Sequence, residues 1–168
     1  MDFNKDKFKN VLHYIISKCG LKDNVGKDII FKLLYFSDFN FFELYEKSLT
    51  NESYRKLPRG PVPIHFDLAI SELKDEGKIN VETKKPTSGM WVQRYVSLKG
   101  LSSDLNPREL SAIDEVISRL GDMDASQISE YSHGDMPWRA TEDGGIMDYG
   151  FVFYRDPQYV KRVYDESD

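Results

Sequence analysis

The chain has 168 residues, of which 40% are hydrophobic, 30% charged and 13% aromatic, with a formal net charge of −5. A chain of this length buries roughly 70% of the surface its unfolded form exposes, so folding requires neither disulfides nor metal, and the aromatic content argues against disorder. The single cysteine, Cys19, excludes an intrachain disulfide and suits a reducing compartment. No run approaches the ~20 apolar residues of a membrane span, and residues 1–10 lack the apolar core of a signal peptide, so the expected location is cytoplasmic.

Residues 4–19 predict a helix, because Phe8, Val11, Leu12, Ile15, Ile16 and Cys19 recur at three- and four-residue steps. Gly20 is the expected stop, in the left-handed conformation. Residues 24–47 predict a long helix, or two in sequence, capped by Asp23 or Asn24. Ile30, Leu33, Leu34, Ser37, Phe41, Leu44 and Tyr45 form one stripe, and Phe31, Tyr35, Phe39 and Phe42 a second. A helix apolar on two sides belongs at the centre of a fold or under a partner. Residues 50–63, rich in proline, read as an ordered turn or loop. Helix is expected again from about Pro63 to Gly77, burying Phe66, Ala69, Ile70 and Leu73.

Residues 79–84 and 92–97 alternate in the manner of strands, with turn residues Lys85-Pro86-Thr87-Ser88-Gly89 between them. Helix followed by hairpin is the order of a winged helix. Asn106-Pro107-Arg108-Glu109 is a helix start with a capping box, and Leu110, Ile113, Val116, Ile117 and Leu120 form its buried stripe up to Gly121. Asp124 caps a shorter helix to about Tyr131. Residues 133–155 read as a loop and then a short extended piece, and Asp156-Pro157 starts a last helix over 157–164. The expected fold is mainly α (α+β), a helical bundle with a winged-helix-like β-hairpin, in one domain over 1–168. Its core covers about 10–140, and 141–168 form an irregular C-terminal extension.

Candidate chemistry is sparse. His13, His65 and His133 are far apart in sequence and show no zinc-ligand spacing. No glycine-rich phosphate fingerprint occurs, and no cofactor is implied. Cys19, among isoleucines, reads as a small buried residue before it reads as a nucleophile. Ser132, His133 and Asp135 place hydroxyl, imidazole and carboxylate close in sequence, which leaves a hydrolase as one alternative. Triads, however, are assembled in space, and His133 at a helix end also suits a cap.

A winged-helix DNA-binding regulator is the other alternative. Its reading helix would carry Asp67, Glu72, Asp75 and Glu76 against Lys74, a poor match to phosphate, while Lys84, Lys85 and Arg94 on the hairpin are better placed. Nucleic acid is therefore disfavoured. Residues 1–85 hold 15 basic and 13 acidic side chains, and residues 86–168 hold 8 and 15. An acidic second half suits solubility or a basic protein partner. Trp91, Trp138 and the aromatics of 35–45 are either anchors for such a partner or core.

Three separated segments carry a resemblance: Lys32-Leu33-Leu34-Tyr35-Phe36-Ser37-Asp38-Phe39, Arg59-Gly60-Pro61-Val62-Pro63, and Ile128-Ser129-Glu130-Tyr131-Ser132-His133 with Pro137-Trp138. Together, in this order, they resemble the Panacea domain of SocA-like antitoxins and phage-associated proteins, over about residues 10–140. The resemblance implies a non-enzymatic antitoxin that binds and neutralises a cognate toxin protein. In one branch of the family the antitoxin delivers its toxin to a protease. No extra DNA-binding domain, as found in some relatives, is expected ahead of this one.

The residues expected to meet the partner are Tyr35, Asp38, Arg59, His133, Trp138, Tyr149 and Phe151, with scaffolding as the competing role for the motif positions. Gly60-Pro61 is expected to form a tight turn that seats the following helix on Leu33 and Leu34. The tail from Gly144 onward matches nothing in the family and is expected to be a partner-specific surface. The acidic half would meet a basic toxin, with Trp138 and nearby aromatics as anchors.

Overall fold

A computed structural model describes residues 2–85, 91–100 and 104–165. It shows the expected mainly helical α+β fold. Helix α1 (Lys5–Cys19) starts where the Asn4 side chain accepts from the Lys7 amide at 3.0 Å. Gly20 ends it, but with φ −61° and not in the left-handed conformation. Its lack of a side chain serves packing: a Cβ there would stand 2.3 Å from the Tyr95 carbonyl oxygen.

Helix α2 (Lys27–Tyr45) is the buried centre, and both of its stripes are covered. Its start is Gly26, without a side-chain cap. Asn24, expected to cap it, instead donates to the carbonyls of Gly121 and Met123 at 2.8 and 2.9 Å.

Residues 54–63, expected to be a loop, form a hairpin of β1 (Tyr54–Leu57) and β2 (Gly60–Pro63), paired from Tyr54 with Pro63 to Leu57 with Gly60. The prolines that suggested a loop sit where no ladder donor is needed, on a two-stranded edge. Pro63 thus ends a strand, and α3 begins at Phe66 and runs to Asp75. The second hairpin, β3 (Ile79–Lys84) with β4 (Val92–Ser97), has the expected strands. Of its turn, Pro86, Thr87, Ser88 and Gly89 lie outside the described residues.

Helix α4 (Pro107–Leu120) opens on the expected capping box, in which Asn106 and Glu109 bond each other's backbone amides at 2.9 Å. Asp124 and Gln127 form a second box at the start of α5 (Ala125–His133). The stretch read as loop and extended chain holds a short helix α6 (Met136–Arg139) and a 3₁₀ helix (Tyr149–Tyr154). These turns are too short to show a helical period. The helix expected over 157–164 does not form; turns take its place.

The described part of the tail is tied down at several points. Its residues 144–147 run along the outer edge of β1, with Lys56 N to Gly145 O, Gly144 N to Lys56 O and Met147 N to Tyr54 O each at 2.9 Å. This covers a strand edge that would otherwise be open. Tyr149 stacks on Phe39 at 4.2 Å, and Phe39 on Tyr35 at 4.3 Å, so the 3₁₀ helix continues the aromatic column of α2. Among the described residues no helix is long and apolar enough to cross a membrane.

Candidate functional site

The three sequence motifs meet at one point, the turn Pro58-Arg59 between β1 and β2. From the first motif, the Lys32 side chain runs beneath the turn: a Cβ on Gly60 would lie 2.5 Å from Lys32 Cε and 3.0 Å from Ser132 Oγ. Gly60 also has φ +137°, so glycine is required there on both counts. From the third motif, Ser129 Oγ donates to the Arg59 carbonyl at 2.6 Å, and the His133 ring bonds the Pro58 backbone. From β1, Lys56 Nζ donates to the carbonyls of Trp138 and Thr141, both at 2.9 Å, and stands 4.7 Å over the Trp138 ring. His133 stacks on the same ring at 4.4 Å. The turn is therefore clamped from three sides, and Arg59 points outward with its side chain 84% exposed.

Two surfaces flank this turn. On one, the outward face of the hairpin presents Leu57, Val62, Ile64 and Ile146, the last beside Arg55 through an isolated bridge. A cavity of ≈ 360 Å³ at its side is lined by Phe31, Pro63 and Phe66 among others. On the other side lies a smaller cavity lined by Asp28, Lys32, Arg59, Ala125, Ser126 and Ser129.

Under the hairpin sit two buried polar networks. Asp38 accepts from the Thr50 amide at 3.0 Å, from the Thr50 hydroxyl and from the Tyr54 hydroxyl. Burial pushes its carboxyl up to about 7, although those hydrogen bonds favour the charged form. Glu52, equally buried, meets His65 through both the ring Nδ1 at 2.6 Å and the amide at 2.8 Å. In the second network the Arg155 guanidinium forks onto Asp135, with Nε and Nη2 both at 2.8 Å, and reaches Asn40 at 2.8 Å and Glu43 at 3.0 Å. Tyr35 donates to Asp135 at 2.8 Å.

Of the residues expected to face a partner, Tyr35 and Asp38 are fully buried in these networks and do not reach the surface. Trp138 is buried under the Lys56 stem, stacked on His133, and so is not a free anchor. Trp91, by contrast, is 66% exposed. Arg59 is at the surface, while His133, Tyr149 and Phe151 are half-buried. Tyr149 donates to the Glu52 carbonyl at 2.6 Å.

The Ser132, His133 and Asp135 side chains do not form a relay. Ser132 donates to the Ser129 carbonyl at 2.7 Å, Asp135 is taken up by Arg155, and His133 Nε2 is buried without a hydrogen-bond partner among the described residues. Burial, with Lys32 and Lys56 nearby, lowers the His133 pKa. Cys19 is buried, its thiol pushed up to about 11 by desolvation, and Sγ donates to the Ile15 carbonyl. Among the described residues no group of three or more His, Cys, Asp or Glu side chains is placed to hold a metal ion.

Three important residues were not singled out by sequence reasoning: Lys56, Glu52 and Arg155. Lys32 was quoted only as part of a motif, yet a signal for it existed. A lysine between Phe31 and Leu33, on a helix apolar all round, has to be buried.

Residues 30–139 match the family described as antitoxin SocA-like, Panacea domain. No curated protein and no solved structure matches the chain.

Proposed function

Because the chain belongs to the family of SocA-like antitoxins with a Panacea domain, we propose that it is a cytoplasmic antitoxin that neutralises a cognate toxin protein by occupying it, without catalysis. The observation that carries the reading is the hairpin built by the second family motif. Its inner side is clamped by the other two motifs, while its outer side leaves Leu57, Ile64 and Ile146 exposed together, with Val62 between them. Rigid apolar clusters of this kind, rimmed by charge, are what protein interfaces are built around. Arg55 and Arg59 supply the rim here.

The test is growth rescue. The product of the neighbouring reading frame is expressed in a host cell, where it stops growth, and this chain is supplied alongside. Wild type restores growth. Leu57→Asp combined with Ile64→Asp abolishes both rescue and co-purification, while the circular dichroism and melting temperature stay near wild type, since both side chains are already exposed. Rescue that survives this double change places the interface elsewhere. Rescue by wild type in a host lacking its cytoplasmic proteases supports occupancy, and its loss there supports delivery to a protease.

A further inference from the structure

The pocket beside the hairpin turn holds a charge that the protein leaves unanswered. Lys32 is 1% exposed, yet its ammonium forms no hydrogen bond or ion pair with any described residue, and it lines a cavity of ≈ 260 Å³. A buried lysine is almost always paired, because an isolated buried cation is costly. The nearest carboxylate acting on it is Asp28, which is shared: it also lies 3.5 Å from the Arg59 guanidinium. One carboxylate therefore faces two cations.

The backbone adds to the imbalance. Helix α2 begins without a side-chain cap, and the amides of Lys27, Asp28 and Ile29 donate to no acceptor among the described residues. These residues line an adjoining groove of ≈ 390 Å³, which shares Asp28, Arg59 and Ala125 with the Lys32 cavity. Arg94 crowds the same helix start, donating to the Val25 carbonyl at 2.6 Å and to the Asp23 carbonyl. Helix α5 also starts at the cavity, with Ala125 and Ser126 in its first turn lining it. The uncapped N-terminus of α2, equivalent to about half a positive charge, thus converges with an ammonium and a guanidinium, while that of α5 is already met by the Asp124 carboxylate.

We infer that the cavity between the start of α2, the start of α5 and the Pro58-Arg59 turn is a binding site for the phosphate group of a small phosphorylated molecule. Phosphate fits better than carboxylate. The donors approach from several directions: Lys32 from below, Arg59 from the turn, and the Ser126 hydroxyl from the rim. A tetrahedral group with three free oxygens answers such a set, whereas a planar carboxylate answers one fork. Asp28, and Asp124 at the start of α5, oppose the anion, while Lys32 and Arg59 favour it. The rest of the ligand would lie in the groove at the start of α2. This site shares Arg59 with the rim of the hairpin's outer face, but Lys32, Ser126 and Ser129 do not line the cavity beside that face, so the site stands whether or not a toxin docks there.

The test uses inorganic phosphate and pyrophosphate as probes on the full chain at constant ionic strength, with acetate and chloride as controls, read by isothermal titration and by melting temperature. Phosphate and pyrophosphate are expected to bind and to raise the melting point, and the controls to do neither. Arg59→Glu, at an exposed position, is expected to weaken binding about 10- to 100-fold, the value of a lost charge-assisted bond. Lys32→Met is expected to abolish the phosphate-induced shift while leaving the anion-free protein as stable as wild type or more so, since it removes an unpaired buried charge. Asp28→Asn is expected to tighten binding, an outcome that a purely structural Asp28 would not give. The inference is overturned by absence of any phosphate effect, by an equal effect of acetate, by unchanged affinity in Arg59→Glu, or by a large loss of stability in anion-free Lys32→Met.

Discussion

Arg155 decides whether the C-terminal segment is part of the fold or an appendage to it, and Arg155→Met tests this. Its side chain and those of its ion-pair partners Asp135 and Glu43 are all 0% exposed. Methionine fills much the same volume but leaves two carboxylates without their cation. Asp135 keeps the Tyr35 hydroxyl and the Met136 amide, and Glu43 keeps the Lys161 amide and the Tyr164 hydroxyl. Neutral donors do not replace a cation in a low-dielectric interior. Breaking one side of such a pair costs about 3–5 kcal/mol, out of a total of about 5–15 kcal/mol for a typical domain. At about 2–4 °C per kcal/mol, the melting temperature should fall by roughly 10 °C. Urea unfolding, followed by tryptophan fluorescence, to which the buried Trp138 and the exposed Trp91 contribute, measures the loss directly. The variant Arg155→Met with Asp135→Asn and Glu43→Gln should regain most of it, because no buried charge is then left uncompensated. A loss below ~1 kcal/mol for the single change, or no recovery in the triple one, would refute the argument that the guanidinium holds the tail to α2 and α6.

Asp38 gives a pH signature. Its folded pKa is raised to about 7, so the stability it contributes is full below the ordinary carboxylate range and is lost as pH rises through about 7. Relative to Asp38→Asn, wild type should lose roughly 3–4 kcal/mol between pH 4 and pH 8; a difference in urea midpoint that stays constant over this range counts against it. Gly60→Ala should destabilise by about 2–4 kcal/mol, from a positive φ and a clash with Lys32. In a Lys32→Ala background the same change should cost less, about 1–2 kcal/mol as measured by melting, from the positive φ and the close approach to Ser132 Oγ that remains. Cys19 should resist iodoacetamide in the native protein and react only at the rate of global unfolding, so rapid labelling at pH 8 would show an open or mobile α1.

Elements with a clean local signal were legible in the sequence. The capping box at Asn106, the cap at Asp124, the alternation of 79–84 and 92–97, and the stripes of α1, α2 and α4 all act through neighbours a few residues away, and these formed as expected, apart from the start of α2. The hairpin at 54–63 was not legible because its prolines suppress the strand signal, while the contacts that fix it come from Lys32, Ser129 and the tail at 144–147. Helix α6 and the 3₁₀ helix are stabilised by tertiary contacts, not by any period of their own. The candidate site was legible as motifs but not as geometry. The first motif looked like a helix face, yet its lysine lies under a turn contributed by the second. Tyr35 and Asp38 seemed exposed partners because polar side chains on a helix usually face water, and here each has a buried mate, Asp135 and Tyr54, supplied from elsewhere in the chain.

The charge asymmetry between the two halves has a structural explanation that sequence counting does not reveal. Acids of the second half are used by cations and hydroxyls of the first: Lys7 meets Glu109 at 2.7 Å, Lys22 meets Asp122 at 2.7 Å, and Tyr14 meets Asp114 at 2.6 Å. Asp135 is consumed by Arg155. The acidic side of α3 is likewise answered, with Glu72 facing Lys5 and Lys9 at 3.2 Å and Glu76 facing Lys78 at 3.1 Å. Much of the apparent excess is therefore internal stitching between α1, α3 and α4, and it projects less field than the sequence suggests. Around the hairpin the two signs are mixed. Arg55 and Arg59 are exposed at the edge of the apolar face, where Arg59 is met by Asp28 at 3.5 Å and Lys27 by Asp67 at 3.7 Å, and Lys32 is buried below the turn. The whole-chain charge therefore does not by itself select a basic partner for this surface. Complementarity is set by the few charges left unpaired at the contact, and net charge counts the ones already spent inside.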